Sequence, residues 1–453
     1  MRRLISISLL TFFITSFSSV LAEPHLHGAR THTHPFPAQG VRHKHGAGAM
    51  GHYPAGITAP TKQASLQTKQ PPLQQRQRAT PKSGNATSEL QKAYQRKDYK
   101  SVFRIASGFA KRGNPTAEYI MGELYLYGLG QKKNPKLAFN YFKKSADKKH
   151  PGAQHLLASL YETGTGTRKN PTKAISYYKL AAAQGVPDSL VRLGVLYENG
   201  KGVKKNIPTA MRYYEQAANK GMTEVQLMMG ERYLKGVDVK KNPKKAFQFF
   251  NKASQTGDKK ADYWIGFLHA NGIGTKKNSK LAVKYMLKAA KRNDPDAQFF
   301  MGGSYLNGIG VKKNYKQAID WYKKAANKNL ADAQHILGII YLQGVGTNKN
   351  YKTAFSWFNK AAKKGLAESQ LYLGDLYVDG LGVTKSHKQA LKWYKKAANK
   401  NISEAQYSVG AMYANGFGTT KNFKEAKKWF QKAAKQKNPK AINALAVLKK
   451  NGL

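Results

Sequence analysis

The chain has 453 residues, of which 41% are hydrophobic, and its 77 Lys and Arg side chains outnumber 24 Asp and Glu, which gives a formal net charge of +53. It contains no cysteine, so disulfide bonds, thiolate metal sites, a cysteine nucleophile and a lipidated cysteine are excluded. Such a large excess of positive charge indicates anionic partners but does not determine the fold.

The first 22 residues have the organisation of a secretory signal peptide. Arg2 and Arg3 precede an apolar run from Leu4 to about Phe17, and small residues lead to Ala22. The run is shorter than the roughly 20 apolar residues that a membrane-spanning helix needs. We therefore expect cleavage after Ala22 and export to the periplasm or out of the cell, with no transmembrane segment in the mature chain.

Residues 23–88 are rich in His, Pro, Gly, Gln, Thr and Ser, and they contain too few apolar residues to offset the entropy of folding, which predicts disorder. Histidines spaced two apart in an extended chain can present imidazoles to Zn²⁺, Cu²⁺ or Ni²⁺. The seven histidines of this segment are His25, His27, His32, His34, His43, His45 and His52. Arg30, Arg42 and Lys44 would repel a cation, and they favour a solvated linker over the metal site.

Residues 116–438 consist of nine copies of a 36-residue unit, with no insertion or deletion between them. Residues 295–330 read PDAQFFMGGSYLNGIGVKKNYKQAIDWYKKAANKNL, and residues 331–366 repeat them as ADAQHILGIIYLQGVGTNKNYKTAFSWFNKAAKKGL. A fixed period of this length is typical of stacked-repeat proteins. We interpret residues 89–115 as an irregular N-terminal helical cap and residues 439–453 as a C-terminal capping helix, because terminal repeats must present a polar outer face.

Within each unit, apolar residues recur at the spacing of two amphipathic helices. In the sixth copy they fall at i, i+4 and i+8 from Ala297, and at i, i+3, i+4 and i+7 from Ala318. Ala318 is alanine in all nine copies and Gly302 is glycine in eight, which predicts a close approach of the two helices. The unit is therefore predicted to be a helix hairpin.

The segment NGIGVKKN is predicted to form the bend of the hairpin. Gly308 can end the first helix in the left-handed conformation, Gly310 lets the chain turn back, and Asn314 can cap the second helix. A glycine pair followed by lysines also suggests a phosphate-binding loop. However, no strand precedes this bend, and it occurs nine times where a nucleotide site would occur once.

One aromatic column runs through the second helices. It could form a stacking ladder for bases or sugars, but its helical spacing beside the alanine column favours a place in the core. The column consists of Tyr141, Tyr177, Tyr213, Phe249, Tyr285, Trp321, Trp357, Trp393 and Trp429.

The order A-x-x-x-x-G-x-x-Y-x-x-G-x-G followed by x-A-x-x-W-Y/F-x-K-A-A resembles the Sel1-like repeat, a relative of the tetratricopeptide repeat. The resemblance covers about residues 114–453 and implies an all-α, right-handed α-solenoid that binds proteins. It also points to exported members in Gram-negative bacteria, including the enhanced-entry group, and so to envelope maintenance or host-cell interaction. Two features depart from the family pattern: in most copies Lys-Asn replaces an acidic residue at the head of the second helix, and the cysteine pairs of one exported branch are absent.

A second invariant column places one lysine in each bend, and repetition should project these lysines to one edge of the solenoid as a ridge. The ridge lysines are Lys133, Lys169, Lys205, Lys241, Lys277, Lys313, Lys349, Lys385 and Lys421. Two interpretations remain open, a solvated edge or a surface for polyanions. The polyanions that an exported protein meets are lipopolysaccharide phosphates, cell-wall carboxylates, glycosaminoglycans and acidic proteins. Nucleic acid is not expected in that compartment.

Polar positions on the first helices are candidates for a peptide-binding face. They are Gln154, Gln226, Gln298, Gln334, Gln370 and Gln406, whose amides could instead bond only to the adjacent repeat. No HExxH or GxSxG motif is present, and the histidines outside the tract are dispersed: His150, His155, His269, His335 and His387. We expect no enzymatic activity and no cofactor, because a repeated unit does not single out one catalytic environment.

The sequence therefore predicts an exported, non-catalytic solenoid whose concave face binds a protein or peptide and whose ridge favours anionic surfaces. The alternative is a periplasmic protein that sequesters metal through its His-rich segment. A more remote alternative is a cell-wall enzyme such as a transglycosylase.

Overall fold

A computed structural model describes residues 84–453, which form two compact units, residues 84–258 and residues 259–453. Within this range the chain consists of helices joined by short turns, with no strand. None of the described helices is long and apolar enough to cross a membrane. The predicted signal peptide and the seven tract histidines lie outside the described residues.

The first unit contains ten helices. They are α1 Gly84–Gln95, α2 Tyr99–Lys111, α3 Pro115–Tyr127, α4 Pro135–Asp147, α5 Pro151–Thr163, α6 Pro171–Ala183, α7 Pro187–Asn199, α8 Ile207–Asn219, α9 Thr223–Lys235 and α10 Pro243–Gln255. Helix α1 begins inside the segment that the sequence assigns to the low-complexity tract. In α2, Val102 and Ala106 are fully buried, so this helix continues the packed core toward the N-terminus.

The second unit contains eleven helices. They are α11 Lys259–Asn271, α12 Ser279–Lys291, α13 Pro295–Asn307, α14 Tyr315–Asn327, α15 Ala331–Gln343, α16 Tyr351–Lys363, α17 Ala367–Asp379, α18 His387–Ala398, α19 Ser403–Asn415, α20 Phe423–Lys435 and α21 Pro439–Lys450. The hairpins run from α3 paired with α4 to α19 paired with α20.

The predicted bend signals operate as expected. All nine bends begin with a glycine in the left-handed region, at φ between +68° and +79°. The second helix is capped by Asn in eight repeats and by Ser386 in the eighth. In the sixth repeat the side chain of Asn314 accepts from the backbone N–H of Gln317 at 3.0 Å. Helix ends are therefore set locally by one glycine and one polar cap.

The two helices of a hairpin meet at the glycine and alanine columns. A Cβ placed on Gly302 would lie 2.7 Å from the ring of Tyr322, so this position has no room for a side chain. The alanine column is at most 1% exposed in every repeat. The predicted close crossing of the helices is confirmed, and its other wall is a large buried side chain.

Six members of the aromatic column predicted to be core pack against the buried core, but the more deeply buried column lies one residue later in each helix. Trp321 and its equivalents are half-buried, except Phe249, which is buried. Successive side chains of a helix are rotated by about 100°, so the residue after each member of this column points at the glycine column. The buried column is Phe142, Tyr178, Tyr214, Phe250, Met286, Tyr322, Phe358, Tyr394 and Phe430.

Replacing Gly122 by alanine should destabilise the first unit by about 1–3 kcal/mol, because the new Cβ would lie 2.6 Å from the ring of Phe142. Unfolding in urea followed by far-ultraviolet circular dichroism would measure the change. Gly108→Ala in α2 is the matched control, since no atom lies within 4 Å of the added Cβ. It should leave stability unchanged or raise it by about 0.5–1 kcal/mol. Equal losses in both variants would contradict the close crossing.

Candidate partner-binding surfaces

Each ridge lysine lies in its bend between two backbone anchors. In repeat six, Gly308 ends α13, and the N–H of Asn314 donates to the carbonyl of Tyr305 at 2.8 Å. The equivalent backbone bond is present in all nine repeats at 2.8–2.9 Å. Lys313 lies just before this bond, and its Cβ would be 3.4 Å from a methyl placed on Gly308. The backbone therefore sets where each ridge side chain starts.

All nine ridge lysines are exposed, and so are their six basic neighbours. The neighbours are Lys132, Arg168, Lys204, Lys240, Lys276 and Lys312. Ion pairs in residues 84–453 use other cations, such as Arg232 with Glu198 and Lys148 with Glu118. No ridge lysine belongs to an ion pair with a described residue. The ridge thus carries positive charge that its own fold leaves uncompensated.

The six candidate glutamines are not on a free surface. All of them are buried, between 2% and 4% exposed. Gln298 Nε2 donates to the carbonyl of Ala290 at 3.1 Å, and four other glutamines make the same bond to the preceding repeat. Gln154 instead accepts from Gln184 at 2.7 Å. Of the two roles expected for these residues, the structure therefore supports bonding within the stack, and a peptide-binding face must be formed by other residues.

A polar clamp closes four of the nine hairpins, the first, second, fifth and ninth, and Gln154 and Gln406 belong to it. This contact was not predicted from the sequence. A residue on the first helix faces the residue 30 positions later, at the end of the second helix. Where the first is acidic the second is basic: Lys148 Nζ lies 2.6 Å from Glu118, and Arg292 Nη1 lies 3.3 Å from Asp262. Where both are glutamine, as in the last repeat, they bond to each other at 2.8 Å. In these four repeats the matched pairs, Glu with Lys, Asp with Arg and Gln with Gln, are visible in the sequence at a spacing of 30 residues.

The half-buried aromatic column is covered by lysines. Lys324 Nζ lies 4.1 Å from the ring centroid of Trp321, and the next three repeats have the same pair at 4.1–4.2 Å. A cation held over an indole face is stabilised by the ring quadrupole. These tryptophan faces are therefore occupied within the fold, which argues against a ladder for stacked bases or sugars.

The dispersed histidines have packing roles in the described structure. His155 Nδ1 lies 2.8 Å from Ser189 Oγ, and His335 Nδ1 lies 2.8 Å from Ser369 Oγ. His269 replaces the tyrosine of its column and stacks on Tyr285, as the tyrosines of other repeats stack on theirs. Within residues 84–453, no group of three or more His, Asp or Glu could hold a metal ion.

Burial lowers the pKa of His335 to about 4. Its half-buried ring packs 5.5 Å from Phe358 and 5.6 Å from Tyr372, measured between centroids. The surroundings thus favour the neutral imidazole, because a charged ring would lose hydration without gaining a carboxylate.

The fold and these surfaces define a tandem helix-hairpin repeat protein. The family model of the Sel1 repeat matches nine consecutive segments: 115–150, 151–186, 187–222, 223–258, 259–294, 295–330, 331–366, 367–402 and 403–438. The chain belongs to the Sel1 repeat family, which confirms the resemblance and the all-α repeat fold. Sel1 repeats generally mediate protein binding.

Solved structures of Sel1 repeat proteins resemble this chain. A Sel1 repeat protein from Oxalobacter formigenes is 27% identical, with a TM-score of 0.54, over 68% of this chain and 89% of that chain. The protective antigen c5321 of uropathogenic Escherichia coli is 25% identical, with a TM-score of 0.44, over 77% and 90%. Helicobacter pylori cysteine rich protein B is 30% identical, with a TM-score of 0.25, over 30% and 99%. A search of curated proteins found no match.

Replacing His335 by asparagine should flatten the pH dependence of stability in the second unit. Between pH 6.5 and about 4 the unfolded histidine binds a proton and the folded one does not, so wild-type stability falls as pH falls through this window. We expect a wild-type loss of about 1–2 kcal/mol that His335→Asn lacks. All five tryptophans lie in residues 259–453, so tryptophan fluorescence during urea unfolding reports on this unit. Parallel curves for the two proteins would contradict the role of His335.

Proposed function

We propose that this protein is a non-catalytic interaction scaffold, exported to the bacterial envelope or secreted, that binds a protein or peptide partner and uses its lysine ridge to favour anionic ones. The observation that carries the proposal is the ridge itself. It presents one exposed lysine every 36 residues, and none of the nine pairs with a carboxylate of the described chain.

The charge balance of the repeats supports an anionic partner. Residues 114–453 contain 60 Lys and Arg side chains and 21 Asp and Glu. Like charges on a compact chain repel one another, and a bound polyanion or counter-ions relieve this repulsion. The bends add a geometric reason, because the same backbone anchors hold one lysine in each repeat, and a partner with repeated negative groups can pair with several of them.

The expected signal peptide narrows the choice of partner. An exported chain meets lipopolysaccharide phosphates, cell-wall carboxylates, host glycosaminoglycans and acidic proteins. A role in envelope maintenance or host-cell interaction is what the resemblance to the exported enhanced-entry group implies, and the protein-binding use of Sel1 repeats is consistent with it.

Removing three ridge charges should weaken binding to heparin and to lipopolysaccharide vesicles about tenfold at low salt, and should reduce the slope of log affinity against log salt. The variant is Lys313→Gln, Lys349→Gln and Lys385→Gln. The matched control is Lys328→Gln, Lys364→Gln and Lys400→Gln, which removes three exposed charges from the far ends of the same second helices, about 20 Å away. Equal weakening in both variants, or wild-type binding independent of salt, would refute a specific ridge.

Metal sequestration by the His-rich segment is the second candidate, favoured by the histidines at i, i+2 spacing in residues 23–88. If it holds, the mature chain should bind Zn²⁺ or Cu²⁺ in isothermal titration, and replacing the seven tract histidines by asparagine should abolish the heat. Binding that survives this replacement would remove the tract from consideration. The scaffold proposal requires no change in heparin binding in the same variant.

A further inference from the structure

The bend of repeat four differs from the other eight. Their second bend residue is glycine, with φ between +65° and +75°, whereas repeat four has Asp238 at φ +60°. In the preceding repeat, a Cβ on Gly202 would lie 2.6 Å from Cβ of Pro171 in the helix that this bend packs against. A side chain at this position therefore prevents the usual close contact. Asp238 cannot let its bend lie against α8 as the glycines do.

A cavity of about 550 Å³ lies where that contact is lost. Pro208 and Met211 of α8 line one side, and Val239 in the bend lines the other. The apolar part of the wall thus combines the start of α8 with the bend. The cavity is open to solvent, and its volume is in the range of small-ligand sites.

The negative groups at the cavity are already neutralised by the protein. The carboxylate of Asp238 accepts from Arg232 Nη1 at 2.7 Å, and Arg232, only 9% exposed, also donates to Glu198 at 2.7 Å. On the other side, Lys245 Nζ donates to Glu215 and, at 2.6 Å, to the hydroxyl of Tyr233. These pairs hold the wall in place and leave no free carboxylate on it.

Two positive groups remain at the cavity. Lys240 and Lys241 line it and are exposed, and neither is paired with a carboxylate of residues 84–453. Asn242, which caps α10, lies beside them, so the positive end of a 13-residue helix faces the same space. The cavity therefore presents cations next to an apolar wall.

We propose that this cavity binds the carboxyl terminus of a partner polypeptide whose last side chain is apolar. A chain end joins a carboxylate and a side chain at one Cα, which matches two ammonium groups adjacent to Pro208, Met211 and Val239. The inference rests on the proposed scaffold function and deepens it, because it names the group of the partner that one particular repeat would recognise.

The test uses isothermal titration of the full chain at about 150 mM salt, with the acetylated peptide Gly-Ser-Gly-Ser-Gly-Leu as probe. The free-carboxylate peptide should bind at least about tenfold more tightly than the same peptide ending in an amide. Asp238→Gly installs the residue that eight repeats carry, keeps every lysine and removes a negative charge. It should close the cavity and weaken binding about tenfold, whereas simple charge attraction would strengthen it.

Lys240→Gln with Lys241→Gln should also weaken binding about tenfold. The matched control is Lys276→Gln with Lys277→Gln, the same pair in a regular bend, and it should leave binding unchanged. Undiminished binding by Asp238→Gly, or equal losses in the two lysine variants, would overturn the proposal. Inorganic phosphate binding as tightly as the peptide, with the same dependence on Asp238, would overturn the choice of a carboxylate.

Heparin binding separates this inference from the scaffold proposal. Asp238→Gly should retain salt-dependent heparin binding, because all nine ridge lysines remain. If the wild-type chain binds heparin but does not bind the peptide, the result contradicts the cavity proposal and leaves the scaffold proposal standing.

Discussion

The contact between a helix glycine and the large side chain opposite it governs the rest of this structure. At Gly302 and Tyr322 the two helices approach so closely that a Cβ has no room, and fully buried Ala318 maintains the same spacing. A close-packed interior tolerates little change in volume, so each repeat must solve the same packing problem in nearly the same way. The hairpin is therefore a rigid unit, and variation is confined to the positions that point away from this contact.

Because the hairpin is rigid, the lysine of each bend has the same position in every repeat, and the nine lysines together form the ridge. Because the bend is anchored at Gly308 and by the backbone bond of Asn314, the side chain between them starts from the same place in every repeat. The buried glutamines bond to the preceding repeat or to a second glutamine of the same hairpin, and these bonds use amide groups that would otherwise be available to a partner. The charge pattern is thus a consequence of backbone geometry, and the interior polar groups serve the stack.

Most of the fold could be predicted from the sequence because its determinants are local and repeated: the period, the left-handed glycines and the asparagine caps. Two features could not. Trp321 and Tyr322 are adjacent aromatic residues on one helix, and only the position of the facing glycine decides which is buried. Gln298 is a polar residue of the kind usually found on a surface, yet it is buried and its amide donates to the carbonyl of Ala290. In both cases the sequence does not determine the orientation of the side chain, which depends on the neighbouring helix.

The ridge residues were predictable as positions, but invariance alone does not distinguish a binding surface from a packing rule. In a repeat protein the residues shared by all units mostly maintain the stack, since each unit packs only on its neighbours. Residues that recognise one particular partner are then expected where a unit differs from the others and the difference is unfavourable for packing or backbone conformation. Asp238 has this character: it takes a left-handed conformation suited to glycine, carries a side chain where the other eight bends have none, and is paired with Arg232. A contact specific to one partner is therefore most expected at the bend of Asp238, where one repeat differs from the other eight.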